Sequence, residues 1–389
     1  MLFTVPQYID TINDSRGLTR SLGTLDVCRD SDGRPFFIAG NSSVVFKIRH
    51  EGRTKMLKCY TRRKPNLRRI YGPRCLHDEL YVYRADGRGM WTDVVLDDWL
   101  EGCTLRRAVA GCAGDGRALG MLAREFDRFA LWLLRQEWAH GDLKPDNIIV
   151  DAEGRMHLID FDAVFLPEFA GERSDETGTA AFQHPARTAE LFDKSIDDYP
   201  AALISSALHA LSADPTLADR FDTDDMLLFD PRDIAAGRCR ALGEVLDIFA
   251  RKCMAVSYRM AELLRSAAPQ LPGLRPLLEY AAAEEYAGGE VPELAGSGGR
   301  WGYAAEGRFV IPPLYDYGFD FAEGLAAVRL GSRFHFIDTS GRPVIDCGEC
   351  TAAKPFRNGQ AEIVCGGKRL LIDRRGRIIG AGCCESRDK

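Results

Sequence analysis

The sequence contains no long apolar run. Across 389 residues nothing approaches the roughly 18 consecutive apolar residues of a membrane-spanning helix. The opening MLFTVPQYIDTINDS lacks a basic start leading into an apolar segment, so no secretory leader is expected. Positive charge is in deficit. A formal net charge of -6 provides no general basic surface for phosphate backbones, and nucleic acid is not an expected partner. The basic run Arg62, Arg63, Lys64, Arg68 and Arg69 reads as a solvated face. Low-complexity tracts are absent, which argues against extended disorder. Twelve cysteines are scattered rather than set in a compact framework, the pattern of reduced thiols in a cytosol. A soluble cytoplasmic protein with no membrane partner is the expectation.

What is present is an ordinary globular composition, 46% hydrophobic and 28% charged, in a chain long enough for two or three domains. In residues 34–100, RPFFIAG, SVVFKIRH and TKMLKCY are short β-branched or aromatic runs between turn residues, and they predict a small sheet. Gly40, Asn41, Ser42 and Ser43 supply a hairpin turn, and residues 76–83 are the candidate helix facing that sheet. After Cys103 the period becomes helical, most clearly where Leu119, Leu122, Phe126, Phe129 and Leu133 recur at spacings of three and four. A second apolar helix starts near Pro200 and carries Leu203, Ile204, Ala207, Leu208 and Leu211. GGEVPELAGSGG has the Gly and Pro content of a linker. The expected organisation is α+β: a β-rich lobe with an N-terminal extension over 1–101, a helical lobe over 102–287, a linker over 288–298 and an all-β module over 299–389.

That module repeats itself. RWGYAAEGRFVIP at Arg300 returns as RFHFIDTSGRPVID at Arg333 and, in part, as RLLIDRRGRII at Arg369; Gly307, Gly341 and Gly376 are 34 and 35 residues apart. Each unit predicts β-hairpins, with turns at Glu306-Gly307 and Ser340-Gly341 that need positive φ at glycine. These units resemble WG repeats. Two units and a partial third fall short of the roughly three that stand alone, so the block is expected to rest on the helical lobe. Trp301, Tyr303, Phe321, Phe334, Phe336 and Phe356 are assigned to the core of the repeat in preference to a binding face. CGEC, with Cys347 and Cys350, is assigned to reduced thiols in preference to a zinc site completed by Cys383 and Cys384.

The chemistry is concentrated in HGDLKPDNIIV, from His140, and in HLIDFDA, which carries Asp160. A phosphoryl group leaving ATP needs a carboxylate near the attacking hydroxyl, a cation on the transferred phosphate and oxygen ligands for Mg²⁺. Asp142, Lys144, Asn147 and Asp160 supply these in order. With a strand lysine upstream and a later Gly-Thr before an apolar helix, the ordered set resembles the two-lobed eukaryotic-type protein kinase fold over residues 34–280.

The resemblance implies roles. Gly40, Ser42, Ser43 and Val45 belong to the phosphate loop, Lys58 binds the α- and β-phosphates, and Glu79, or its neighbour Asp78, holds Lys58 from a helix. Asp98, Trp99 and Leu100 form the adenine hinge. Asp142 is the base or hydroxyl orienter, Lys144 stabilises the transferred phosphate, and Asn147 and Asp160 hold Mg²⁺. Thr179 meets the catalytic pair, His140 is scaffold, and Asp197 holds the catalytic loop through its backbone. Lys144 and Thr179 favour a serine or threonine acceptor.

Departures from the family pattern carry information. The phosphate loop has Ile38 and Ser43 where glycines are usual. Gly141 replaces the usual arginine, which implies activity independent of activation-segment phosphorylation. Asp162 replaces the DFG glycine and restricts the segment, adds a carboxylate near the metal or is a simple turn residue. His184, Pro185 and Ala186 stand where Ala-Pro-Glu is usual, leaving the segment's anchor open. The expectation is an atypical Ser/Thr kinase-like phosphotransferase using ATP and Mg²⁺ on a protein or peptide, with repeats that recruit a protein partner. A catalytically weak nucleotide-binding scaffold and a small-molecule kinase are the alternatives.

Overall fold

Alternating burial in SVVFKIRH sets the first sheet. In the computed structural model, which describes residues 2–84, 86–223, 225–282 and 291–381, Val44, Phe46 and Ile48 point into a core while Arg49 faces solvent. The chain divides into two compact units, Met1–Gly102 with Asp160–Asp162, and Cys103–Ile159 with Ala163–Lys389.

The first unit contains α1 (Val5–Asn13), β1 (Asp26–Val27), β2 (Phe37–Ala39), β3 (Ser43–His50), β4 (Arg53–Tyr60), α2 (Leu67–Tyr71), β5 (Cys75–Tyr83) and β6 (Gly89–Asp98). The sheet runs in the order β1-β3-β4-β6-β5, with β2 also paired to β3. α1 starts at a capping box between Thr4 and Gln7 and buries Tyr8 and Ile12 against Val44, Phe46 and Leu80.

The helix expected over residues 76–83 is a strand. Leu76 and Leu80 fit a helical face, but Leu80 and Val82 fit a sheet face equally, and the β-favouring Tyr81-Val82-Tyr83 decides for β5, antiparallel to β6. The register breaks between Leu76 and Leu80, and Asp78 takes φ +47 within that irregularity.

The second unit begins with β7 (Cys103–Thr104), α3 (Leu105–Gly111), α4 (Gly116–Leu134), β8 (Ile148–Val150) and β9 (Met156–Leu158). Strands β7, β8 and β9 form a small sheet beside the HGD loop. α5 (Asp198–Ala213), α6 (Leu217–Phe221), α7 (Pro231–Ala235), α8 (Arg240–Arg251), α9 (Ala255–Leu263) and α10 (Leu274–Ala282) follow. As its composition suggests, α5 is the buried centre, with Leu203, Ile204, Ala207, Leu208 and Leu211 inaccessible to solvent.

β10 (Glu293–Ser297), β11 (Arg300–Ala305) and β12 (Arg308–Tyr315) form one antiparallel sheet. Part of the expected 288–298 linker is therefore structure: Glu293–Ser297 pairs along its length with Arg300–Ala304. Residues 288–290 lie outside the described residues. β13 (Tyr317–Gly318), β14 (Ala326–Leu330), β15 (Arg333–Ile337) and β16 (Pro343–Asp346) form a second sheet. β17 (Cys350–Ala353), β18 (Gln360–Cys365), β19 (Lys368–Asp373) and β20 (Ile378–Ala381) form a third. The third unit is thus a full four-stranded sheet. Its phase differs from the sequence reading, because each later sheet begins before the FAEGLAAV or FRNGQAEIV segment.

Gly307 and Gly341 both take positive φ, as expected of their turns. Tyr303, Phe334, Phe336 and Phe356 are core residues, whereas Trp301 is 36% exposed. The block rests on the helices. Tyr303, Ile311, Leu314, Tyr315 and Val328 share a core with Cys253 and Ala255. The buried Arg259 donates to the Leu314 carbonyl at 2.6 Å and pairs with Asp316 at 2.9 Å, while a ring nitrogen of the buried His335 lies 2.8 Å from the Ala250 carbonyl. One thiol expectation is overturned: Cys350 and Cys365, directly opposed on β17 and β18, are joined in a disulfide. Cys347 is free, and burial with the nearby Asp346 pushes its thiol up to about 12. Cys383 and Cys384 lie outside the described residues.

Candidate active site

The predicted site residues that lie together form two groups, one in each unit. In the first, Lys58 lies on β4 between Val45 of β3 and Val95 of β6. It is buried, and its Nζ reaches Asp160 Oδ1 at 2.5 Å and Asp162 Oδ1 at 2.9 Å. Burial alone lowers an ammonium pKa; the two carboxylates outweigh it and raise that of Lys58. Asp160 takes φ +64, a left-handed conformation uncommon for a non-glycine residue. Gly40 donates to the Ser43 carbonyl at 2.9 Å, closing the turn that carries Ser42, and Ser43 and Val45 pair with Tyr60 and Lys58.

Glu79 does not hold Lys58. The bulged strand turns its carboxylate inward to accept from the amides of Arg20 at 3.1 Å, Ser21 at 2.8 Å and Leu22 at 2.8 Å, and from Ser21 Oγ at 2.7 Å. It organises a loop instead. Asp78 is no substitute, since His77 lies beside it at 3.1 Å. The hinge side chains are committed elsewhere: Asp98 pairs with Lys55 at 2.7 Å, Trp99 stacks under Lys47 at 4.7 Å, and Leu100 is exposed. The Trp99 amide donates to the Thr54 carbonyl at 3.3 Å.

In the second unit, Asp142 is the centre of a connected group. Its Oδ1 accepts from the Thr179 amide at 2.6 Å, and its Oδ2 meets Lys144 Nζ at 3.0 Å and Asn147 Nδ2 at 3.1 Å. Lys144 also donates to Thr179 Oγ1 at 2.8 Å. The Asn147 amide nitrogen donates again, to the Asp142 carbonyl at 2.9 Å, which leaves its carbonyl oxygen as the atom suited to a hard cation. Asp197 accepts from the amides of His140 and Gly141, and a ring nitrogen of the buried His140 lies 2.9 Å from the Ile159 carbonyl. Burial raises the Asp197 pKa, while His140, Arg187 and the two amide donors oppose it.

Two glycines allow this approach. A Cβ on Gly141 would lie 2.8 Å from the Ala163 carbonyl carbon and closer still to its oxygen; one on Gly178 would lie 2.6 Å from the Gly141 oxygen. No arginine fits at 141 in this conformation. Sequence reading missed Arg187, which is buried and donates from Nη1 to the Gly141 carbonyl at 2.7 Å and to Gln183 Oε1 at 2.6 Å. Burial lowers its pKa, and Asp197 and Asp142 oppose that. Only its spacing of four from Gln183 hints at the role. The open question of the segment's anchor has an answer in His184, with a ring nitrogen 3.1 Å from the Ser266 carbonyl and the ring edge-on to Tyr199.

Comparison with known families matches the WG containing repeat to residues 305–334 and 336–368. These residues lie wholly within the β module. No curated protein matches the chain. No helix among the described residues is long and apolar enough to cross a membrane.

Proposed function

We propose that the chain is an ATP-dependent phosphotransferase of two-lobed, protein kinase-like fold, acting on serine or threonine hydroxyls. The observation that carries this reading is the bonding of Asp142 to Lys144, Asn147 and Thr179. Asp142 orients the acceptor hydroxyl and accepts its proton, and Lys144 neutralises charge on the transferred phosphate. Lys58 binds the α- and β-phosphates. Asn147 Oδ1 in one unit and an Asp160 carboxylate oxygen in the other are each donors suited to Mg²⁺, which when bound neutralises phosphate charge. The cytoplasm is the compartment proposed, since ATP is plentiful there; the Cys350–Cys365 disulfide is the feature that runs against it.

The WG repeats are read as a recruiting surface for a protein partner, with the exposed Trp301 as a candidate contact. Incubation with labelled ATP and Mg²⁺ tests the catalytic reading: the wild type labels a protein acceptor, and Asp142→Asn does not.

A further inference from the structure

The buried Lys58 pairs with two carboxylates, and the one expected to draw Mg²⁺, the exposed Asp160, has a second demand on it. The other carboxylate is Asp162. Its side chain is 7% exposed, and its Oδ1 lies 2.9 Å from Lys58 Nζ while accepting from Tyr60 Oη at 3.0 Å and Tyr71 Oη at 2.7 Å. Lys64 stands 3.7 Å from the other oxygen. Tyr60 follows Lys58 by two residues on β4, so the strand period places both on one face. Tyr71 comes from α2, whose inward residues Leu67 and Tyr71 share a core with Tyr60, Cys75 and Val95.

We propose that Asp162 is the positioning residue for Lys58, holding its ammonium for the phosphates of a nucleotide in place of a helix-borne glutamate. The nucleotide role rests on the phosphotransferase reading; the pairing does not. Glu79 is engaged by three backbone amides and a hydroxyl, and β5 occupies the place in the chain where a helix was expected. A glycine at 162 would leave Lys58 with Asp160 alone, and any ligation of Mg²⁺ by Asp160 would then weaken its hold on the lysine. With Asp162 present, one carboxylate serves the cation and the other stays on the lysine. The two phenols fix that second carboxylate to β4 and α2.

A double-mutant cycle on the full chain tests the pairing without nucleotide. Lys58→Met, Asp162→Asn and the double variant are compared by thermal unfolding, beside the same cycle built with Glu79→Gln. Asparagine keeps the shape and an acceptor for both phenols, and Asp162→Glu provides a charged second variant. The expected result is non-additive loss for Lys58 with Asp162 and additive loss for Lys58 with Glu79. Calorimetric titration with ATP and Mg²⁺ then reads the positioning role: Asp162→Asn weakens binding on the order of ten- to a hundredfold, Asp162→Glu recovers part of it, and Glu79→Gln leaves it unchanged. Additive losses at 58 and 162, or coupling of Lys58 to Glu79, overturn the proposal. Coupling in a wild type that binds no nucleotide keeps the pairing and overturns the phosphotransferase reading.

Discussion

Gly141 sits so close to Ala163 that the HGD loop has no room for a side chain at that position. The Ala163 carbonyl fills the space a Cβ would take, and Gly141 holds φ +83. The loop is tied down from the other side, where Arg187 donates to the Gly141 carbonyl and Asp197 accepts from the Gly141 amide. A buried cation 46 residues away in the chain thus bonds this loop.

A side chain introduced at 141 is therefore expected to damage the protein. Gly141→Ala combines a strained φ with a backbone clash, and should cost about 3 kcal/mol or more; Gly141→Arg should cost at least as much. Urea unfolding of the variants checks this. A Gly141→Arg protein as stable as wild type contradicts the geometry.

Glu79 is expected to matter for folding and not for nucleotide. Glu79→Gln leaves the amides of Arg20, Ser21 and Leu22 with a weaker acceptor, at a cost of about 1–3 kcal/mol. The melting temperature should fall while ATP affinity holds. A large loss of affinity at unchanged stability sinks this assignment.

The contacts of Asp142 with Lys144 and Asn147 are local and those of Glu79 are not. Asp142, Lys144 and Asn147 lie within six residues, so the chain itself brings them together. The placing of Glu79 depends on the helical reading of residues 76–83, where Leu76 and Leu80 fit both periods and Val82 fits only that of a strand. The grip of Arg187 on Gly141 spans 46 residues, and no local pattern encodes it. The hairpin turns of the repeats were legible because Gly307 and Gly341 mark them; the phase of the sheets was not, since strands alternate alike on either side of each turn.

Stability should carry a signature of Asp198. Burial raises this carboxyl from 3.8 to about 6, with the Leu271 amide opposing and Asp197 and Asp193 adding. An acid whose folded pKa is raised contributes fully below its unfolded pKa and loses that contribution as pH rises through the folded value. The wild type should therefore lose up to roughly 3 kcal/mol relative to Asp198→Asn between pH 4 and pH 7. Unfolding free energies of both proteins across that range test the difference; parallel curves refute it.

The WG block should be inseparable from the helices. Arg259 bridges Leu314, Asp316 and Glu262 from a buried position. Arg259→Met leaves Asp316 and Glu262 without that cation, and is expected to destabilise by about 3 kcal/mol. Removal of residues 299–389 exposes the apolar surface around Cys253 and Ala255 and should give a protein that binds a hydrophobic dye. A truncated chain that stays monomeric, dye-free and as heat-resistant as the full one contradicts this docking.

Asp142 is proposed to orient the acceptor hydroxyl and accept its proton. Purified wild type and Asp142→Asn, both shown to fold by circular dichroism, are incubated with γ-labelled ATP and Mg²⁺ across protein and metabolite acceptors. The account predicts label in a serine or threonine product with the wild type and a loss of about a thousandfold or more with the variant. Equal labelling by both proteins, or none by either, contradicts it.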